Sequence, residues 1–108
     1  MYTSKMRAVV VKGARFMPCS LTDDESGKTY ELNIKEPKLK VYKQFEKLDN
    51  ASTTDDIISV ASVILSGNKE GIKISPEFIE ENMSLEEVTE FFTDFSDWIL
   101  AARKTDPN

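Results

Sequence analysis

The strongest fold signal in this sequence lies in residues 83–104, which read MSLEEVTEFFTDFSDWILAARK. Ser84 is followed three residues later by Glu87, which is the pattern of a helix capping box, and the apolar residues beside it stand in the positions of a hydrophobic staple. Two independent local devices therefore predict that a helix begins next to Ser84. We predict this helix over residues 85–104.

The predicted helix carries four large rings within eight positions, and these are Phe91, Phe92, Phe95 and Trp98. Adjacent residues on a helix lie about 100° apart, so both members of the Phe91–Phe92 pair are buried only if neighbours cover a wide arc. One short hairpin and two modest helices offer little cover. The rings are therefore either core or surplus apolar surface of the kind that contacts another protein. We predict a partner contact at the four rings, leaving open which of them are core.

Acidic residues occupy the largely opposite face of the same helix, and we predict that they form a charged rim around the contact. These residues are Glu86, Glu90, Asp94 and Asp97.

Three further helices are predicted upstream, over residues 38–48, 54–66 and 76–82. Pro37 stands where the first could begin, since proline is favoured at helix starts. Thr54 is the predicted cap of the second helix, and Gly67 is its predicted end. Because apolar residues wrap much of its circumference, this second helix is predicted to be central and the most buried.

The chain before these helices has the composition of strands, over about residues 5–34. Lys5–Val11 is rich in β-branched residues, and Lys28–Ile34 alternates apolar with polar side chains. Asp23–Gly27 between them is a polar turn. A third short strand over Ala14–Met17 is left open. The sequence thus predicts an α+β fold, with a small N-terminal antiparallel hairpin or meander followed by about four helices in one core.

Length and charge bound the function. The chain has 108 residues, enough for one domain over residues 1–108, and a net charge of −5. Residues 1–48 have a net charge of +4, whereas residues 49–108 have a net charge of −9. So acidic a second half disfavours binding to nucleic acid or to an anionic membrane. No apolar run approaches the roughly 20 residues of a membrane helix, and no secretion signal is visible, so we expect a cytoplasmic protein.

The residues that usually carry catalysis are sparse. The chain has no histidine, which removes the commonest general base and metal ligand. Its one cysteine, Cys19, forms no internal disulfide, and its four glycines do not group into a phosphate-binding loop. We therefore expect no enzyme activity, no cofactor and no metal. A small hydrolase acting through two carboxylates stays conceivable, and it requires two converging acids, one with a raised pKa.

The order of elements resembles a known family. The segments that carry the resemblance are Leu32–Pro37 (LNIKEP), Tyr42–Leu48 (YKQFEKL), Ser75–Phe92 (SPEFIEENMSLEEVTEFF) and Trp98-Ile99. Together they resemble the small tail assembly chaperones of long-tailed phages and prophages of Gram-positive bacteria, over about Tyr30 to Leu100.

This resemblance implies a non-catalytic protein of the bacterial host cytoplasm. It implies binding to the tape measure protein, recruitment of tail tube subunits, and self-association into a homo-oligomer. The alternative that the residues leave open is a generic acidic adaptor or regulatory subunit. Neighbouring genes distinguish the two, since tape measure and tail tube genes should flank a tail assembly chaperone.

Overall fold

The computed structural model describes residues 1–5 and 16–104, with side chains described as far as Leu100. Within them the chain forms a three-stranded sheet and then four helices, which confirms the predicted α+β fold. The strands are β1 (Tyr2–Ser4), β2 (Phe16–Thr22) and β3 (Thr29–Lys35). The helices are α1 (Leu39–Glu46), α2 (Thr54–Ser66), α3 (Pro76–Asn82) and α4 (Leu85–Lys104).

The sheet is antiparallel in the order β1-β2-β3. Cys19 in the middle strand pairs with Ser4 on one side and with Leu32 on the other. Buried residues alternate along β3, where Leu32 and Ile34 face the core, as expected for a sheet with one solvated face. The turn from β2 to β3 closes at Gly27, whose φ of 75° falls in the left-handed region that glycine adopts without strain.

One predicted strand stays untested, and another differs from its predicted bounds. The predicted strand Lys5–Val11 lies, apart from Lys5, outside the described residues. The open third strand is real but longer, since β2 runs to Thr22. Pro18 hides this strand in the sequence because proline usually argues against a central strand. Here Pro18 lies beyond Ser4, the last described residue of β1, so no described pairing on that side needs its missing N–H.

The helices lie within two residues of their predicted bounds. α1 begins at Leu39, two residues after Pro37, behind an extended Lys38 that provides no side-chain cap. The last residue of α2 is Ser66, and Gly67 caps its end as predicted. α2 packs against α1, α3, α4 and β3, which confirms its central position.

The predicted cap of α2 is wrong by one residue. The cap is Thr53, whose hydroxyl accepts a hydrogen bond from the Asp56 N–H at 3.1 Å, while the Asp56 carboxylate accepts one from the Thr53 N–H at 3.2 Å. This reciprocal pair is a capping box, with aspartate in the usual place of glutamate. Thr54 is instead the first helical residue.

This correction makes a testable prediction. We expect Thr53→Ala to lower the free energy of unfolding by about 1 kcal/mol, because the Asp56 N–H loses its acceptor. We expect the neighbouring Thr54→Ala to change it by less than about 0.5 kcal/mol. Urea unfolding of the two variants measures the difference, and a loss for Thr54→Ala as large as that for Thr53→Ala would contradict Thr53 as the cap.

Candidate partner-binding site

The aromatic stripe of α4 belongs to the core of the monomer. Phe91 and Phe95 are 0% exposed and Trp98 is 3% exposed, whereas Phe92 is half-buried. The prediction that Phe91, Phe95 and Trp98 form a contact surface is therefore wrong, because enclosed rings are not available to another protein in this fold. The role of Phe92 in partner binding stays a prediction.

Two residues from distant parts of the chain supply the missing cover. Tyr2 in β1 stands edge-on to Phe91, with ring centroids 5.6 Å apart. Phe45 at the end of α1 packs edge-on against Phe95 at 5.0 Å and against Phe92 at 5.4 Å. Tyr2 and Phe45 thus close the wide arc that the Phe91–Phe92 pair requires.

The predicted acidic rim is divided by the structure. Glu86, Glu90 and Asp97 are exposed, as a charged rim requires. Asp94 is half-buried and accepts a hydrogen bond from the Tyr2 hydroxyl at 2.7 Å. Asp94 therefore holds β1 against α4, while the binding role predicted for all four acids stays a prediction.

Glu87 makes the second link between β1 and α4. Its carboxylate accepts hydrogen bonds from the backbone N–H of Tyr2 at 2.7 Å and of Ser84 at 3.0 Å, while the Ser84 hydroxyl accepts one from the Glu87 N–H. The capping box predicted at the start of α4 is therefore confirmed. Partial burial of Glu87 acts to raise its pKa, but the hydrogen bonds from Tyr2 and Ser84 outweigh it, and the pKa lies below its ordinary value.

The lowered pKa of Glu87 predicts a pH dependence of stability. A carboxyl whose pKa is lower in the folded than in the unfolded state stabilises the fold above the ordinary value of 4.5, and this contribution disappears as the pH falls through the lowered value. We expect Glu87→Gln to be less stable than wild type at pH 7, by up to about 1 kcal/mol, because solvent screens this partly exposed group.

Urea unfolding at pH 7 and at about pH 3 tests this expectation, because the gap between wild type and Glu87→Gln should shrink at the lower pH. The matched control is Glu86→Gln, which changes the exposed neighbour. A gap for Glu87→Gln that stays constant over this range, or that Glu86→Gln reproduces, would contradict the assignment.

An apolar groove that is open to a partner lies elsewhere, between α2, α3 and the start of α4. We call it the three-helix groove. Its apolar floor and walls are formed by Ile57, Ile58, Ile79, Met83, Leu85 and Val88, with Thr54, Glu80 and Ser84 beside them. Leu85 is 60% exposed, and Ile57, Ile58 and Met83 are half-buried. The groove encloses about 270 Å³.

Sequence reasoning missed this groove, although part of the signal was present. The adjacent Ile57 and Ile58 place apolar side chains about 100° apart at the start of α2. This apolar arc is wider than one neighbouring helix covers. The end of α3 lies next to these two residues only in the tertiary structure, and the periodicity of the sequence does not predict this contact.

The walls of the three-helix groove carry charge of one sign. α2, α3 and α4 as far as Ala102 contain ten acidic residues and no lysine or arginine. The nearest acid is Glu80, which lines the groove and is exposed. With no basic side chain among its lining residues, the groove presents apolar contact beside the carboxylate of Glu80.

Three more groups in the described residues have shifted pKa values, and these are Tyr2, Cys19 and Glu70. Burial raises the pKa of the Cys19 thiol to about 12, which makes it a poor nucleophile at neutral pH. Burial, followed by the hydrogen bond to Asp94, also raises the pKa of Tyr2. The two carboxyls with shifted pKa values, Glu70 and Glu87, are both lowered, opposite to what the hydrolase hypothesis asks of its acid.

Two other features are absent from the described residues, a metal site and a membrane-spanning helix. Within residues 1–5 and 16–104, no three cysteine or acidic side chains gather in a way that would hold a metal ion. Over the same residues, no helix combines the length and the apolar character needed to cross a bilayer.

Comparison with known proteins gives no relative from which a function could be read. No protein-family model, no curated protein and no solved structure matches this chain.

Proposed function

We propose that this protein is a tail assembly chaperone of a long-tailed phage or prophage, which acts in the bacterial cytoplasm by reversible protein binding. It binds the tape measure protein, keeps it soluble and helps recruit tail tube subunits, and it associates with copies of itself. The proposal rests on the family resemblance over about Tyr30 to Leu100 and on the surface that α2, α3 and α4 present.

The observation that carries the proposal is the three-helix groove. It combines exposed apolar side chains with an acidic surround, which suits a protein that covers apolar segments of another chain and stays dispersed itself. The groove encloses about 270 Å³. One or two apolar side chains of a protein partner fit such a space.

Co-expression with the tape measure protein that the proposal expects a flanking gene to encode tests the proposal. We expect the soluble yield of the tape measure protein to rise and the two proteins to co-purify. An unrelated helical protein that aggregates when expressed alone serves as the control, and its yield should not change. If the tape measure protein stays insoluble and does not co-purify, the proposed function is wrong. A rise in the soluble yield of both the tape measure protein and the control protein would favour the generic adaptor.

A further inference from the structure

The three-helix groove offers side chains rather than backbone to whatever enters it. Seven of its nine lining residues lie in helices, whose backbone groups are largely paired within each helix. The other two are Met83 and Ser84, whose N–H groups already donate to the Ile79 carbonyl and to the Glu87 carboxylate. An extended peptide placed there would leave its own N–H and C=O groups without partners, which is costly. A helical segment satisfies its backbone internally and inserts only side chains, so the groove favours a helix as its occupant.

The charge of the groove walls selects what that helix carries. Glu80 is the one charged residue of the groove lining, and it is exposed. Lysine or arginine beside the apolar face of an entering helix would meet this carboxylate, whereas acidic residues there would be repelled. Charge complementarity therefore points to a basic amphipathic helix.

This occupant comes from another protein. The only lysine-rich helix described in this chain is α1, and its apolar residues Val41, Tyr42 and Phe45 already pack against the core. Leu39 is the only apolar residue of α1 that remains widely exposed, and one side chain does not make an apolar helix face. A second copy of the chain thus offers no described helix with the required chemistry.

We infer that the three-helix groove binds one helical segment of a partner protein, with apolar side chains three to four residues apart and lysine or arginine beside them. The inference deepens the proposed function and rests on it for the partner's identity, since the segment would then belong to the tape measure protein. One or two side chains enter the groove, so each contact is weak and reversible.

Binding of a designed peptide to the intact protein tests the groove itself. The probe is a fluorescent peptide of about 18 residues, long enough to form a helix on binding, with leucine at helical spacing and lysine between. The reference peptide has the same composition in scrambled order. We expect the periodic peptide to bind about tenfold more tightly in fluorescence anisotropy, because only its leucines share one face.

Two exposed leucines give a matched pair of variants. Leu85→Ser should weaken binding of the periodic peptide about tenfold, because Leu85 lines the groove. Leu39→Ser should leave it unchanged, although Leu39 is even more exposed at 78%, because it lies on α1. Both residues are exposed, so neither variant is expected to unfold the protein.

Two exposed glutamates test the charge in the same way. Glu80→Lys should weaken binding several-fold and reduce its dependence on salt, whereas Glu46→Lys on α1 makes the same change of net charge away from the groove. Equal effects of these two variants would show that binding depends on the net charge of the protein and not on the position of Glu80, which would overturn the inference. So would equal binding of the periodic and scrambled peptides, or equal effects of Leu85→Ser and Leu39→Ser.

Sedimentation and co-purification separate the remaining outcomes. If Leu85→Ser abolishes self-association of the protein and the peptide does not bind, a second copy occupies the groove and the inference is wrong. If wild type and Leu85→Ser capture the tape measure protein equally, the groove assignment is wrong while the proposed function stands. If the peptide results hold but wild type does not capture the tape measure protein, the proposed function is wrong and the groove assignment stands.

Discussion

Replacing Phe95 with alanine will lower the free energy of unfolding by about 3–5 kcal/mol. The ring is fully buried and packs against Phe45 at 5.0 Å and near Phe91 and Trp98, so truncation leaves a cavity that rigid neighbours fill only in part. Small domains have only about 5–15 kcal/mol of stability in total, so the variant should unfold at a much lower urea concentration than wild type. Urea unfolding followed by circular dichroism measures the loss.

Phe92→Ala is the matched control, since it removes the same side chain from the same helix. Phe92 is half-buried, so we expect a loss of about half as much or less. If Phe95→Ala costs less than about 1 kcal/mol, or no more than Phe92→Ala, the stripe is not enclosed. The original hypothesis of an aromatic contact surface on α4 would then be restored.

Replacing Asn68 with alanine will lower the free energy of unfolding by about 2–4 kcal/mol, although a single polar side chain is removed. The buried amide donates hydrogen bonds to the carbonyls of Leu65 and Ile72 at 2.8 and 2.6 Å, and its oxygen accepts one from the Ile72 N–H at 2.9 Å. Alanine would leave these three backbone groups without their partners.

The loss at Asn68 should extend to the sheet, because residues beside it attach the α2–α3 loop to β3. The Lys35 N–H donates to the Gly67 carbonyl at 2.7 Å, and the Lys69 N–H donates to the Asn33 carbonyl at 2.9 Å. We expect faster amide hydrogen exchange at Lys35 and Lys69 in the variant. Asn50→Ala, at an exposed loop position, is the control. Equal stabilities of the two variants would show that Asn68 does not hold this loop.

The features predicted correctly from sequence are those with local causes. The capping box of Ser84 and Glu87 and the turn ending at Gly27 each depend on residues within about five positions, so the sequence alone reveals them. The exact cap of α2 was within reach too, because Asp56 stands three residues after Thr53 rather than after Thr54.

The features that were missed depend on contacts between distant parts of the chain. β1 spans only three residues and has no period of its own, yet Tyr2 covers Phe91 and donates a hydrogen bond to Asp94, about ninety positions away. Without β1, the rings of α4 looked under-covered. The three-helix groove escaped prediction for the same reason, since Ile57 and Leu85 meet only in the folded chain.

The most direct test of the claim that the three-helix groove binds a partner helix is a methyl NMR titration of the intact protein with the tape measure protein or with the periodic leucine and lysine peptide. If the groove is the binding surface, chemical-shift changes concentrate on the methyl groups of Ile57, Ile58, Met83 and Leu85. The methyl shifts of Leu39 and Val63, which lie on other faces, stay unchanged. Changes confined to Leu39 and Val63, or no changes at saturating partner, would contradict it.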